Sequence, residues 1–313
     1  SPTSGYPCCR FMFHMGWPKY TKNMWAATGE SNGLAALAYG PSQVDALVGD
    51  SVEVTITQDT HYPFDSQIQL TITPEKTTQF PLKLRIPQWC DNPEILVNGT
   101  QQNNIEPGSF YTIKRTWSAQ DQVTLSFPMK AKFSQWYNQS VALERGPLVY
   151  SMDLNEEWWE TSKEFAVSGY HEYEITTDSK WNYAFDLNPQ QPEESITVEK
   201  HTMPENPFEK SQTPISLQVP MKQLPNWTRT GDGLKPEEPP KSPVNSSQTV
   251  ETIKFVPYGA TALRMTSLPI TQSLSTGNRL EADSQPEEIL LTQTENNQLI
   301  IQSSGHKLTD IRI

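Results

Sequence analysis

Two neighbouring cysteines near the start of the chain are the residues best suited to chemistry. Cys8 and Cys9 lie beside His14 and a block of aromatic side chains. Thiolates are soft ligands that suit zinc, and a thiolate beside a metal has a lowered pKa and can act as a nucleophile. A closed zinc site needs four ligands, so these three residues alone form an incomplete site. The alternative, which the local sequence favours, is that both cysteines are buried structural thiols.

Tryptophan is the second residue type that suggests a site. The chain has nine tryptophans, and aromatic faces stack on sugar rings. Trp136, Trp158 and Trp159 are the best candidates for carbohydrate binding, with Tyr137 beside the first of them. The alternative is packing in cores and interfaces, because β-sandwiches often bury tryptophan.

Composition narrows the class of protein. The chain has 313 residues, enough for two domains, and 26 prolines, which argue for strands and loops over long helices. Its formal net charge of −12 disfavours nucleic acid and anionic membranes as partners. No run of apolar residues is long enough to predict a membrane span. Three cysteines are too few for a disulfide framework.

Hydrophobic periodicity predicts one helix followed by many strands. The spacing of Phe13, Trp17, Tyr20 and Met24 predicts a helix from about Trp17 to Ala27. From about residue 44 apolar and polar residues alternate, and Asn98-Gly99 is typical of a hairpin turn. This pattern predicts a β-sandwich, with strands at 52–57, 68–73, 82–86, 95–97, 110–115 and 123–127.

The second half of the chain is less regular. A tight bend at Gly146-Pro147 connects two predicted strands, and we expect a domain boundary near 152. Residues 155–160 read as an acidic aromatic loop, and 234–248 as a long mobile loop because it is rich in Pro, Glu, Ser and Lys. Further strands are predicted at 173–176, 183–186, 196–198, 215–219, 251–259, 262–266, 288–291 and 299–302. The fold class is therefore all-β, with two β-sandwich-like domains after a short N-terminal helix.

Five segments, in this order, resemble a known family. They are Cys8-Cys9 with the His14–Lys19 run, the Gly33–Pro41 strand, the "RIPxW" strand at Leu84–Trp89, the "RGPLVY" segment at Glu144–Tyr150 and the "PYG" strand at Val256–Gly259. The family is that of β-L-arabinofuranosidase-like glycoside hydrolases, glycoside hydrolase family 127 and its relatives.

The resemblance implies an architecture and a set of site residues. An (α/α)6 catalytic barrel would lie upstream in the same polypeptide, with 1–43 as its end, 44–152 as a β-sandwich domain and 153–313 as a second β-rich domain. Cys8 would be the nucleophile, and Cys8 and Cys9 would be zinc ligands. The acid/base glutamate and the other zinc ligands would lie before residue 1. Met12 departs from the family pattern, which has an asparagine at that position.

The resemblance also implies a function. The chain would be the C-terminal accessory region of an enzyme that removes L-arabinofuranose or a related sugar from plant-type glycans. The zinc would belong to the full-length parent, and the isolated chain would bind none and be inactive. A periplasmic, cell-surface or extracellular location is expected. Two alternatives remain: a carbohydrate-binding module without catalysis, and a structural domain that braces the barrel or forms a homodimer contact.

Overall fold

The computed structural model describes residues 15–29, 31–162, 172–231, 233 and 235–272, together with three C-terminal strands. The chain forms two compact units that divide between Met129 and Lys130. The first unit contains residues 15–129 and groups with the C-terminal strands, and the second contains 130–272. No helix in the described ranges is long and apolar enough to cross a membrane.

In the described part of the chain, a short α-helix of about two turns precedes the strands. Helix α1 spans Gly16–Lys22, with Pro18 in its first turn, where a missing N–H costs no helical hydrogen bond. The predicted helix to Ala27 is wrong beyond Lys22. Asn23 ends it by donating its side-chain amide to the Lys19 carbonyl at 2.7 Å, and residues 25–28 form a strand instead. Cross-strand pairing outweighs helix propensity there.

The first unit is a β-sandwich of two sheets. One sheet has the order β1-β2-β6-β9, and the other has the order β3-β4-β5-β10-β7-β8. All described pairs in this unit are antiparallel except β2 with β6. In chain order the strands are β1 (Trp25–Thr28), β2 (Gly33–Ala36), β3 (Ser42–Val48), β4 (Val52–Thr60), β5 (Gln67–Pro74), β6 (Thr78–Arg85), β7 (Glu94–Val97), β8 (Thr100–Gln101), β9 (Phe110–Trp117) and β10 (Asp121–Ser126).

Alternating side chains from both sheets form the core of this unit. In β4, Val52, Val54 and Ile56 are buried while the residues between them face outward. Trp117 is fully buried; its ring centroid lies 5.8 Å from that of Phe80, and its indole N–H donates to the Phe80 carbonyl at 3.0 Å. The six strands predicted in this region are confirmed, because period-two patterning dictates which face is buried.

Two details of the first unit depend on backbone geometry. The predicted Asn98-Gly99 turn is confirmed: both residues have positive φ, and Val97 pairs with Thr100 across it. Strand β1 pairs with β2, and β2 pairs with β6, so residues 25–36 lie in one sheet of the sandwich, although the resemblance assigned them to the end of a barrel.

The second unit contains one large sheet. Its strands run in the order β11-β12-β13-β19-β18-β16, with β17 paired to β18 and β20 paired to β12. In chain order the strands of the second unit are β11 (Ala131–Gln135), β12 (Val141–Arg145), β13 (Leu148–Met152), β14 (Glu157–Ser162), β15 (Glu172–Thr176), β16 (Tyr183–Phe185), β17 (Thr197–Lys200), β18 (Ile215–Gln223), β19 (Val250–Pro257) and β20 (Ser267–Leu268); β14 and β15 lie outside the large sheet.

This sheet closes on itself around an aromatic core. Leu268 in β20 pairs with Val141 in β12, and Ile270 bridges Phe185 in β16, so the segment 267–270 links β12 to β16. The Phe185 ring lies 4.9 Å from that of Phe133 and 5.5 Å from that of Phe255. The closed sheet is sandwich-like and leaves few strand edges exposed to solvent.

The structure differs from the sequence-based expectation at three places in this unit. The compact units divide at Met129, earlier than the expected boundary near 152, because β11–β13 join the sheet through β19. The strand predicted at 262–266 is wrong, since the chain pairs only from Ser267. The loop predicted at 155–160 is also wrong, because β14 begins at Glu157 and pairs with β15 as a separate two-stranded sheet.

The region predicted as a long mobile loop, 234–248, has no long strand among its described residues, but hydrogen bonds connect it to other parts of the second unit. The Trp227 indole donates to the Glu237 carbonyl at 3.0 Å, and the side-chain amide of Asn138 donates to the Pro239 carbonyl at 2.9 Å. Ser242 is buried and accepts a hydrogen bond from the Ile270 amide at 3.1 Å. These bonds satisfy polar groups that periodicity cannot account for; the mobility of 234–248 stays a prediction.

The C-terminal strands form a small antiparallel sheet of their own. Strand β21 (Leu290–Gln293) pairs with β22 (Leu299–Gln302), as the sequence predicted, and β22 also pairs with β23 (Lys307–Ile311).

A nearly buried carboxylate holds the segment that leads into β14. One oxygen of Glu156 accepts hydrogen bonds from the Thr261 hydroxyl and from the backbone amides of Ala262 and Leu263, at 2.8 and 3.0 Å for the amides. Lys210 lies 3.8 Å away. Burial raises the pKa of Glu156, but the hydrogen bonds and the ammonium group outweigh burial and leave this pKa below its usual value.

The close contact between β2 and β6 gives the first testable prediction. A Cβ at Gly33 would lie 2.3 Å from the carbonyl oxygen and 2.5 Å from the ring of Pro81. We expect Gly33→Ala to lower the free energy of unfolding of the first unit by about 1–3 kcal/mol through overpacking, measured by chemical denaturation. In the control Gly16→Ala the new methyl group meets open space. An equal loss of stability in both variants would contradict the role of this contact.

The lowered pKa of Glu156 predicts a specific pH dependence. A carboxyl group with a lower pKa in the folded state contributes stability above its unfolded value of 4.5. That contribution disappears as the pH falls through the folded-state pKa. Glu156→Gln should therefore cost about 1–2 kcal/mol at neutral pH and make the second unit less sensitive to acid, as measured by urea denaturation across this range. The matched control is Glu53→Gln, at an exposed position. If Glu156→Gln loses stability at acid pH as steeply as the unchanged protein does, the pH dependence does not come from Glu156.

Candidate functional site

The residues predicted to carry catalysis lie outside the described part of the chain. These are Cys8, Cys9 and His14, together with Met12. Within the described ranges, no three His, Cys, Asp or Glu side chains come close enough together to hold a metal ion. The predicted roles of Cys8 and Cys9 therefore stay predictions.

The third cysteine has a structural position. Cys90 follows the turn after β6, its side chain is fully buried in the core of the first unit, and its backbone amide donates to the Pro87 carbonyl at 3.2 Å. A fully buried thiol is inaccessible to a substrate.

The "RIPxW" segment makes internal contacts. The guanidinium of Arg85 donates to the Leu37 carbonyl at 2.5 Å, and the Tyr39 hydroxyl donates to the Arg85 carbonyl at 2.8 Å. Burial raises the pKa of Tyr39, so this hydroxyl stays a donor. Trp89 packs edge-on against Phe127, with ring centroids 6.4 Å apart. The segment therefore stabilises one end of the sandwich.

The "RGPLVY" segment is a tight connection between β12 and β13. Gly146 has a φ of 59°, which a side chain would disfavour. Tyr150 is fully buried, and burial raises its pKa to about 12 against the opposing effect of Arg145. This segment is also structural.

Trp136 lies in an exposed turn between β11 and β12. Its side chain is 59% exposed and that of its neighbour Tyr137 is 64% exposed. The Trp136 indole donates to the Ser134 hydroxyl at 3.0 Å, and that hydroxyl donates to Glu144 at 2.5 Å. The Tyr137 hydroxyl donates to Glu238 at 2.9 Å, which raises the pKa of Tyr137. The rings of Trp136 and Tyr137 are thus exposed to solvent and lie near the carboxylates of Glu144 and Glu238.

The backbone of this turn is strained and firmly held. Asn138 and Gln139 have φ values of 54° and 57°, which cost about 1–3 kcal/mol each for residues other than glycine. The buried hydroxyl of Ser140 lies 2.6 Å from the Tyr137 carbonyl and 2.7 Å from the Ser267 hydroxyl. The backbone amide of Ser242 donates to the Asn138 carbonyl at 2.9 Å. These contacts offset the strain and fix the position of the aromatic pair.

Trp158 and Trp159 lie on opposite faces of one two-stranded ribbon. They are successive residues of β14, and successive side chains of a strand point to opposite sides. Trp158 is 52% exposed and contacts Tyr173 at a ring distance of 5.6 Å. Trp159 is 58% exposed, and its indole donates to the Thr176 hydroxyl at 3.2 Å. The two tryptophans therefore do not form one common stacking surface.

Sequence reasoning missed a groove in the first unit. An open groove of about 810 Å³ lies along the β7–β8 hairpin and β9; it is lined by Val97, Asn98, Thr100, Gln102, Tyr111, Thr112, Ile113, Lys114 and Arg115. Periodicity gives no signal for it, because the groove is formed by the edges of two different sheets. Its lining combines one aromatic ring with amide and cationic groups.

Most of the first unit is similar to a known family of domains. Residues 33–129 match the family model described as "Beta-L-arabinofuranosidase, GH127 middle domain". No curated protein sequence matches the chain.

Solved structures share the fold. A GH127 β-L-arabinofuranosidase from Geobacillus stearothermophilus is 23% identical, with a TM-score of 0.52 over 79% of this chain and 34% of that one. A protein described as a glycoside hydrolase is 22% identical, with a TM-score of 0.54 over 79% and 37%. A second GH127 β-arabinofuranosidase is 20% identical, with a TM-score of 0.52 over 77% and 35%.

At these identities the likeness establishes the fold alone. The chain spans about a third of the length of these structures. The predicted resemblance is confirmed, and the described structure is all-β. Residues 33–129 are thus similar to the middle domain of GH127 β-L-arabinofuranosidases.

Proposed function

We propose that this chain is the strand-rich accessory region of a glycoside hydrolase that removes L-arabinofuranose or a related sugar from plant-type glycans. The match of residues 33–129 to the GH127 middle domain carries this proposal. The enzymes of similar fold are about three times as long as the aligned part, so we propose that the chain alone does not hydrolyse glycans and acts together with a catalytic barrel of the same polypeptide. A periplasmic, cell-surface or extracellular location is part of this proposal.

Cys8 and Cys9 are the residues that would contribute to catalysis. The chemistry of the two thiolates suits zinc, which lowers the pKa of a bound thiol, and a closed site would need ligands beyond these two. Cys8 would act as the nucleophile toward the sugar, with an acid/base residue from elsewhere in the protein.

A bracing role is supported by helix α1. Trp17 is 68% exposed and Tyr20 is 48% exposed, and their rings contact each other edge-on at 6.3 Å. Such an exposed aromatic pair is a surface suited to packing against another domain. The barrel of the same polypeptide is the proposed partner.

A carbohydrate-binding role is favoured by the turn at Trp136. Its exposed indole and the Tyr137 ring stand beside Glu144 and Glu238. Aromatic rings stack on the apolar face of a sugar, and carboxylates accept hydrogen bonds from its hydroxyl groups. We propose neutral glycans as the ligands of this turn.

The enzyme proposal is tested on the natural protein. We expect its intact mass to exceed the 35.5 kDa of this chain by the mass of several hundred residues. We also expect it to hydrolyse an aryl β-L-arabinofuranoside. Cys8→Ala should lower the rate by about a thousandfold or more, because it removes the nucleophile.

The matched control is Cys90→Ala, which removes a buried thiol from the core and should leave the catalytic rate close to that of the natural protein. Hydrolysis by the 313-residue chain alone, with sensitivity to thiol alkylation, would refute the need for a barrel. A natural protein of 35.5 kDa would remove the enzyme proposal.

Sugar binding is tested by calorimetry with arabinan oligosaccharides. Trp136→Ala should weaken binding by about tenfold, since one stacking surface is lost. Trp159→Ala, which removes an equally exposed indole from the ribbon, should leave the affinity unchanged. Absence of heat at roughly millimolar sugar would exclude the binding role.

A further inference from the structure

The groove beside the β7–β8 hairpin lies where the sandwich of the first unit is open. Among the described strands, β9 is the edge of one sheet and β8 is the edge of the other. The groove has a volume of about 810 Å³, within the range of about 300–1,000 Å³ that is usual for ligand pockets. It follows β9 from Tyr111 to Arg115, a distance of roughly 13 Å. An extended ligand can therefore lie along it.

Four side chains of the lining can both donate and accept hydrogen bonds. They are the amide of Gln102 and the hydroxyls of Thr100, Tyr111 and Thr112. The two aliphatic lining residues, Val97 and Ile113, are only 5% and 7% exposed, so they offer little apolar surface. Sugar hydroxyl groups also donate and accept, whereas an extended peptide needs pockets for its alternate side chains. The lining therefore favours a glycan over a peptide.

Hydrogen bonds hold the hairpin side of the groove in place. The Asn98 side-chain amide donates to Asp121 at 2.7 Å, and its oxygen accepts a backbone amide of β10 at 2.8 Å. The Gln102 side-chain amide donates to the Thr100 carbonyl at 2.9 Å, and its oxygen lies 3.5 Å from the Tyr111 hydroxyl. A ligand would meet side chains that are already positioned, which lowers the ordering cost of binding.

The charged residues of the lining are both cationic. Lys114 and Arg115 line the groove and no aspartate or glutamate does, although the chain has a net charge of −12. The Arg115 guanidinium lies 5.1 Å from the centroid of the Trp117 ring, and its Nε donates to the Thr116 carbonyl at 3.1 Å. One terminal nitrogen lies 3.5 Å from Asp121. A guanidinium has five N–H donors, more than these two polar partners need, so Arg115 can bind a ligand carboxylate as well.

We infer that this groove binds a glycan that contains uronic acid residues, with a sugar carboxylate held by Arg115 and Lys114. The sugar hydroxyl groups bond to Gln102 and to the hydroxyls around it. The acidic remainder of the chain repels a densely charged polyanion such as nucleic acid, so the site suits a ligand with one carboxylate per sugar ring. The inference depends neither on the proposed glycosidase function nor on the turn at Trp136.

The test measures by calorimetry the affinity of the full 313-residue chain for a trisaccharide of galacturonic acid. We expect binding that weakens as salt is raised. Arg115→Gln should weaken it by about tenfold, because a charge-assisted hydrogen bond is lost. Since Arg115 also packs on Trp117, a second variant, Gln102→Ala, tests the groove without changing that contact and should weaken binding by about threefold.

A matched pair of lysine variants separates the groove from general attraction between charges. Lys114→Gln should weaken binding, whereas Lys76→Gln, which removes the same charge at an exposed position between β5 and β6, should leave the affinity unchanged. Trp136→Ala should also leave it unchanged, so failure of this inference is distinguishable from failure of sugar binding at that turn.

Four outcomes would overturn the inference. They are the absence of heat at roughly millimolar trisaccharide, equal affinity for the methyl-esterified trisaccharide, equal weakening by Lys76→Gln and Lys114→Gln, and tighter binding of a glutamate decapeptide in the same groove.

Discussion

Burial of every second side chain between two sheets is the constraint on which the first unit depends. Trp117 and Phe80 occupy the centre of that core and are hydrogen-bonded to each other through the Trp117 indole and the Phe80 carbonyl. Each such side chain contributes about 1.5–3 kcal/mol through burial. Because the side-chain period of a strand is two, a shift of one residue would turn the whole buried set outward, and the register is therefore strongly specified.

In the second unit, polar contacts contribute more to the packing of the sheet. Its sheet closes through the short segment around Leu268 and Ile270, and buried hydroxyls such as those of Ser140 and Ser242 satisfy backbone groups near the closure. Two strained residues at 138 and 139 are tolerated because these contacts hold them. The strained residues and the exposed Trp136 lie in the same turn.

Strand pairing distinguishes the two places where the second unit exposes tryptophan. Trp136 lies between β11 and β12 of the large sheet, next to the exposed Tyr137 ring. Strand β14 carries Trp158 and Trp159 on opposite faces of a separate two-stranded ribbon. The sequence placed all three tryptophans in one class, whereas the structure separates them into two.

The fold class and most of the strands follow from the sequence, because period-two alternation encodes which face is buried; the strands around Ile56, Leu70 and Leu84 are examples. The turns at Asn98-Gly99 and Gly146-Pro147 follow from it as well, since their glycines adopt a positive φ. Only the three-dimensional structure shows that residues 25–28 form a strand, that β14 is a strand instead of a loop, and that β11–β13 belong to the second unit. Each of these outcomes depends on a specific pairing, of β1 with β2, of β14 with β15 and of β13 with β19, and a local pattern does not encode which strand pairs with which.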